Sequence, residues 1–171
     1  MSRDAVLVVV ATFAVFVVML AELVISKRNE RALRARGASE PLDDVYRAMS
    51  WSYPAAFVAM AAEAWLIGPS APAMTIAGAV CFVIAKAVKY WAMLSLGSRW
   101  SFRVLVLPGA PLVTTGPYAW LRHPNYVGVI GELAGFALLV GAPITGVVSA
   151  GGFALLLRAR IRVEERALGI G

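Results

Sequence analysis

From Ala5 to Ile25 the chain runs through 21 residues with a single charged side chain, Glu22. A helix of about 20 apolar residues crosses the hydrocarbon of a bilayer, and within lipid a segment must satisfy its own backbone amides. The run therefore predicts a transmembrane helix. A cleaved signal peptide is the competing reading, but the run is longer than a signal core. No small-x-small site follows it, and Ser26-Lys27-Arg28 come next. Lys27 to Arg36 holds five basic residues on what reads as a continuation of the same helix, stopped by Gly37 as a C-cap.

The rest of the chain repeats the pattern. Hydrophobic residues make up 60% and charged residues 15%, with a mean hydropathy of +0.76, far from the usage of a soluble domain. After a polar connector over 38–47, spans are predicted at Met49–Gly68 (entered through Trp51, Tyr53 and Pro54), Ala73–Leu94, Pro124–Val140 and Ile144–Leu157. Gly68 to Pro72 and Gly141-Ala142-Pro143 read as turns. The expected fold is all-α: a polytopic membrane protein of about five transmembrane helices in a single membrane domain over 1–171. Residues 1–94 supply three spans, and 95–171 a polar loop, a helical hairpin and a cytosolic tail. Cys81, alone in an apolar run, reads as a small buried hydrophobe.

The net charge of +6 does not point to nucleic acid, because the basic residues flank apolar runs in short blocks. With the N-terminus outside, Arg3 is the only basic residue on the outer side. Six from Lys27 to Arg47, then Lys86, Lys89, Arg99, Arg103 and Arg122, then Arg158, Arg160, Arg162 and Arg166 place fifteen of sixteen on the inner side. An excess of Lys and Arg marks cytoplasmic segments, so the expected location is the plasma (inner) membrane with the polar loop and the C-terminus in the cytoplasm.

That loop carries the chemistry. Thr115-Gly116-Pro117-Tyr118-Ala119-Trp120-Leu121-Arg122-His123-Pro124-Asn125-Tyr126 holds the only histidine, and His123-Pro124 marks a helix start whose free N–H groups would face an anion. The bland alternative is an aromatic belt with Arg122 snorkelling to headgroups. The hairpin of the last two spans brings Pro124 beside Leu157, so the loop and the tail meet. In that tail Arg160 and Glu164 stand four apart, at i,i+4 ion-pair spacing. Glu22, Glu63, Lys86, Lys89 and Glu132 are ionisable within spans, which demands pairing or a cavity. Glu132 reaches the depth of Lys86 and Lys89, and pairing and snorkelling of these lysines are both open.

The run Pro111 to Gly128, containing Arg122-His123-Pro124-Asn125-Tyr126-Val127-Gly128, and the later Glu164-Glu165-Arg166-Ala167-Leu168 resemble the isoprenylcysteine carboxyl methyltransferase family of integral membrane enzymes. The resemblance covers about 95–168. It implies S-adenosylmethionine as cofactor and methylation of a lipophilic acceptor at the cytosolic face. Carried over position by position, it places cofactor contacts on Ala110, Pro111, Leu112, Val113, Tyr118, His123, Pro124, Asn125, Tyr126, Arg160 and Glu164. A polar amide of the family aligns with Arg103, a departure. The cofactor would need an anion site (Arg160 or His123), an acceptor for its amine and ribose (Glu164) and an apolar slot for adenine (Leu112-Val113 with the tyrosines).

A carboxylate acceptor needs no base. A hydroxyl does, or a nearby cation, and Arg122, Glu132 and Glu165 are the candidates. Acceptors of this kind include isoprenoid acids and alkyl-substituted pyrones or phenols, delivered through a lateral opening between the third and fourth spans near Glu132. Two other classes compete: an NADPH-dependent sterol-type membrane reductase, with Arg158, Arg160 and Arg162 for a 2′-phosphate, and a non-enzymatic membrane scaffold. Partners expected are membrane lipids and the acceptor, with no nucleic acid and no required protein partner. The sequence offers no Gly-rich strand-turn-helix, excluding a soluble Rossmann site. The fifteen-to-one charge count predicts that cysteines introduced by Ser98→Cys and Gly171→Cys label from the same, cytoplasmic, side and that from Ser2→Cys from the other. Labelling of the first two from opposite sides would end the five-span reading.

Overall fold

The structure, a computed structural model, describes residues 3–68 and 71–170, with Arg3 by its backbone alone. Five helices appear in order: α1 (Arg3–Ala35), α2 (Tyr46–Ile67), α3 (Pro72–Leu96), α4 (Pro124–Val140) and α5 (Pro143–Leu168). Single 3₁₀ turns at Gly97–Arg99 and Gly116–Ala119 punctuate the long loop before α4. The described residues contain no strand, only an isolated antiparallel bridge between Ser39 and Val106. The first span and its basic continuation form one unbroken helix, released at Gly37 with φ +86. α2 starts at Tyr46, ahead of the expected Met49, so Pro54 lies two turns inside it. Within the expected turn before α3, Pro69 and Ser70 lie outside the described residues, as do the terminal labelling positions Ser2 and Gly171. The tail is not separate: α5 carries straight through it to Leu168.

α1, α3 and α5 are long and apolar enough to cross a membrane, and α4 is a shorter apolar helix. The burial pattern is the reverse of a soluble protein's. Phe13, Leu66, Leu94 and Val147 are 70–85% exposed, while Glu22, Lys89 and Glu132 are at most 2% exposed. Apolar surface outside and charge inside require a lipid surround, and the protein is an all-α polytopic membrane protein.

The interior charges neutralise one another. Lys86 and Lys89 from α3 lie between Glu22 of α1 and Glu132 of α4: Lys86 Nζ is 2.8 Å from Glu22 and 3.1 Å from Glu132, Lys89 Nζ 2.7 and 3.3 Å. Tyr53 of α2 donates to Glu132 Oε2 at 2.5 Å. Pairing, not snorkelling, is what these lysines do. Two cations and two carboxylates leave no formal net charge, which meets the condition for burying ions at all.

Around this cluster, close backbone approach replaces the hydrophobic effect that lipid removes. A Cβ at Gly135 would stand 2.5 Å from Phe82 N, and one at Gly78 2.2 Å from Leu139 N, so α3 and α4 touch main chain to main chain. Phe57 and Phe136, both fully buried, meet edge to face at 4.9 Å on the α2–α4 side. Glu63 of α2 accepts hydrogen bonds from the amides of Ile144 and Thr145 at 2.9 and 2.6 Å. It thereby caps the start of α5, whose own N-cap residue, Ala142, offers no side-chain cap.

Glu132→Gln leaves two lysines facing one carboxylate and should cost about 3–5 kcal/mol, read as a lower melting temperature in detergent. Lys89→Met combined with Glu132→Leu keeps the charge balanced and should recover more than half of that loss. Additive losses would show that the two residues do not act as a pair.

Candidate active site

Four segments meet at one end of the bundle. Gly116 turns the loop with φ +62, and a Cβ there would stand 2.2 Å from Ser95 Oγ, so the turn sits flush on the end of α3. Asn29 of α1 donates to Trp100 O at 2.8 Å, and Phe102 N donates to Ser26 Oγ at 2.8 Å, pinning the loop to α1. The connector after α1 bonds Val106 both ways through Ser39, at 3.0 and 2.9 Å. α5 closes the arrangement from the other side.

Its latch is Arg160, 4% exposed. Nε donates to Tyr126 Oη at 3.0 Å, Nη1 to Asp44 Oδ1 at 3.2 Å, and Nη2 to the Phe102 carbonyl. A guanidinium fork suits this three-way task because its donors are planar and fixed. The expected i,i+4 pair with Glu164 does not form; Tyr126 stands between the two, its hydroxyl donating a hydrogen bond to Glu164 Oε2 at 2.5 Å. His123 stacks on the Tyr126 ring with centroids 5.4 Å apart. It faces both acidic residues of α5: Nδ1 is 3.6 Å from Glu164, and Nε2 3.2 Å from Glu165. Arg122, with its side chain 74% exposed, reaches Glu165 at 3.7 Å.

These residues border a cavity of about 190 Å³. Its walls include the sequence-nominated Ala110, Pro111, Leu112 and Val113 on one side, and Tyr118, His123, Asn125 and Tyr126 on another. Arg160, Glu164, Arg103 and Arg122 complete the set. Pro124 is buried as the first residue of α4 and does not line the space; Glu165 stands behind His123, and Glu132 lies in the ion cluster. The helix start offers fewer free donors than the sequence suggests. Pro124 has no N–H, and those of Tyr126 and Val127 close onto the His123 carbonyl at 3.1 and 3.4 Å. What the wall does offer is Asn125 Oδ1, buried and without a partner among the described residues. An orphaned buried acceptor in a cavity wall is a place where a ligand donor fits.

Local electrostatics act in opposite directions on two groups near the site. Burial, seconded by the Glu164 carboxylate, pushes the Tyr118 hydroxyl above the ordinary tyrosine range. Burial alone would raise the Glu40 carboxyl, but hydrogen bonds from Arg103 and Arg34 outweigh it and hold it below its usual value. Arg103, bonded to Glu40 at 2.5 Å and stacked 4.2 Å over Tyr46, thus fixes the connector to the loop. Asp44 and Glu40 are the site residues that sequence reasoning missed. Their only signal was acidic charge in a connector otherwise flanked by basic blocks.

A cavity walled by Arg122, His123, Asn125, Tyr126 and Glu164 thus sits at one end of an all-α membrane bundle. The chain belongs to the isoprenylcysteine carboxyl methyltransferase (ICMT) family, whose profile matches residues 78–170. It is 34% identical over 148 residues to the uncharacterized protein YpbQ of Bacillus subtilis, covering 86% of this chain and 88% of that one. An uncharacterized protein of Haemophilus influenzae is 29% identical over 159 residues, 92% of each chain. Protein-S-isoprenylcysteine O-methyltransferase of Rattus norvegicus is 33% identical over 97 residues, 56% of this chain but 34% of the rat protein. No solved structure matches the chain.

Asp44→Ala removes one arm of the Arg160 latch and should cost about 1–3 kcal/mol. Hydrogen exchange should rise across 100–106 and the last two turns of α5, with α1 to α3 unchanged. Uniform loss of protection would instead make Asp44 a general stability residue.

Proposed function

We propose that this protein transfers a methyl group from S-adenosylmethionine to a carboxylate or hydroxyl of a lipophilic acceptor at the cytosolic membrane face. The observation that carries the reading is the cavity shared by Ala110–Val113, by His123, Asn125 and Tyr126, and by Arg160 and Glu164 of α5, with Oδ1 of the wall residue Asn125 without a partner among the described residues. When bound, the cofactor supplies a methyl carried on a sulfonium. Leu112 and Val113 would flank its adenine, Glu164 and Asn125 would accept from its amine and ribose, and His123 would meet its carboxylate. Arg160 already spends three nitrogens on Tyr126, Asp44 and Phe102, so its part is to position Tyr126 and Glu164.

The protein's tasks in such a displacement are alignment and exclusion of water. α5 lying across the loop serves both. Arg122 holds an anionic acceptor oxygen, or lowers the pKa of a hydroxyl, while Glu165 through His123 takes the proton that a hydroxyl gives up. Glu132, enclosed by lysines and Tyr53, is assigned to holding α1, α3 and α4 together. The fifteen-to-one distribution of basic residues supports a cytoplasmic orientation of this end and residence in the plasma (inner) membrane.

S-adenosylhomocysteine added at about 100 times its Kd should stabilise the detergent-purified protein by about 2.7 kcal/mol, and NADPH should not. His123→Ala and Glu164→Gln should each weaken that binding roughly tenfold while the apo proteins melt as cooperatively as wild type. Both variants binding like wild type, or stabilisation by NADPH alone, would refute the assignment.

A further inference from the structure

Asp44 stands in the connector between α1 and α2, outside the residues 78–170 that the family profile matches, so its part does not follow from family membership. Its side chain is nonetheless only 3% exposed. Oδ1 lies 3.2 Å from Arg160 Nη1, and Oδ2 accepts the Val104 amide at 3.3 Å. Among the described residues, Arg160 has no other carboxylate within ion-pair distance.

Glu164 is the acceptor that Arg160 forgoes. The two stand four apart on α5, the spacing at which opposite charges meet on one helix face. The Tyr126 hydroxyl separates them, 3.0 Å from Arg160 Nε and 2.5 Å from Glu164 Oε2. His123 Nδ1 also faces Oε2, at 3.6 Å. The contacts of this carboxylate thus fall on Oε2, while Oε1 has no partner among the described residues. Glu164 lines the cavity, so the unpartnered oxygen belongs to a wall residue. A buried guanidinium left without its counter-charge is strongly destabilised and turns to whichever carboxylate it can reach. Without Asp44 that carboxylate is Glu164, one hydroxyl away.

We infer that Asp44 is a positioning residue for the cofactor: by holding the Arg160 guanidinium it keeps Glu164 from being captured, leaving Oε1 free to accept from the amine of the cofactor's amino-acid end. This deepens the proposed function and rests on it. Asp44 does not line the cavity; it acts through Arg160, and its effect is read at Glu164. The other groups that face Arg160 cannot replace it. Tyr126 and the Phe102 carbonyl bring no formal charge, and Met49 Sδ, at 3.8 Å, is a weak acceptor. The neighbouring acids of the connector are engaged elsewhere, Glu40 by Arg34 and Arg103, Asp43 by Arg166.

The test uses the full chain in nanodiscs and two probes, S-adenosylhomocysteine and 5′-methylthioadenosine, which share the thionucleoside and differ in the amino-acid end. Asp44→Ala should weaken S-adenosylhomocysteine binding roughly tenfold, the loss of one charge-assisted hydrogen bond, and change 5′-methylthioadenosine affinity by less than about twofold. Asp44→Glu restores a carboxylate and should recover most of the loss. Asp44→Ala combined with Arg160→Met removes the group that captures Glu164, and should bind S-adenosylhomocysteine more tightly than Asp44→Ala alone. A ligand-free arm reads the exchange of partners directly. Glu164→Gln should leave the wild-type melting temperature nearly unchanged and lower that of Asp44→Ala by about 2–4 °C. Should Asp44→Ala fail to fold, the isosteric and uncharged Asp44→Asn takes its place in every arm, with the same expected signs. Equal loss of both probes, S-adenosylhomocysteine affinity indifferent to Asp44, or a double variant weaker than the single one would make Asp44 a structural residue and overturn the inference. Wild-type protein that binds neither probe would instead refute the cofactor assignment, and the ligand-free arm would then decide alone whether Arg160 turns to Glu164.

Discussion

Everything in this bundle depends on the neutral cluster of Glu22, Lys86, Lys89 and Glu132. Four ions in a membrane interior are tolerable only as a closed set, because each unpaired charge would carry a desolvation penalty of several kcal/mol. The requirement is geometric: α1, α3 and α4 must hold one depth and one rotation for the four heads to meet. Hydrophobic matching alone cannot impose that, since lipid tails are as apolar as the side chains they would replace. The cluster therefore acts as a register mark for the helices that build the site.

One turn beyond Glu22, Ser26 receives the Phe102 amide, and the Phe102 carbonyl receives Arg160. Through these two contacts the register of α1 is passed to the loop and then to α5. Arg160 passes it on to Tyr126, and Tyr126 to Glu164. The site's polar groups are thus held by one another and by backbone. Asn125 belongs to the cavity wall, and its Oδ1 has no hydrogen-bond partner among the described residues.

Arg122, His123 and Tyr126 border this cavity and also a second one, of about 510 Å³, between α4 and α5. Family membership gives the reaction class, a membrane methyltransferase. The glycines at 128, 131 and 135 close one side of α4, leaving its α5 side as the open one.

Apolar runs bounded by Gly and Pro located the five helices, of which α1, α3 and α5 are long and apolar enough to cross a membrane. α4 fell at Pro124–Val140 as read, because His123-Pro124 stops helical geometry on one side and Gly141 adopts the left-handed conformation, φ +82, on the other. The loop and tail residues of the site were legible as a local pattern, and the hairpin guaranteed that they would meet. Which partner each charge takes was not legible. Arg160 at i,i+4 from Glu164 reads as an ion pair, yet it bonds Asp44, 116 residues away, because a buried guanidinium is satisfied by whichever acceptors the fold surrounds it with. Likewise nothing local distinguishes a snorkelling Lys89 from one locked between Glu22 and Glu132. Periodicity and spacing are properties of single segments and survive in the sequence. Ion pairing and cavity walls are set by the depth and rotation of one helix against another, and these exist only once the bundle has closed.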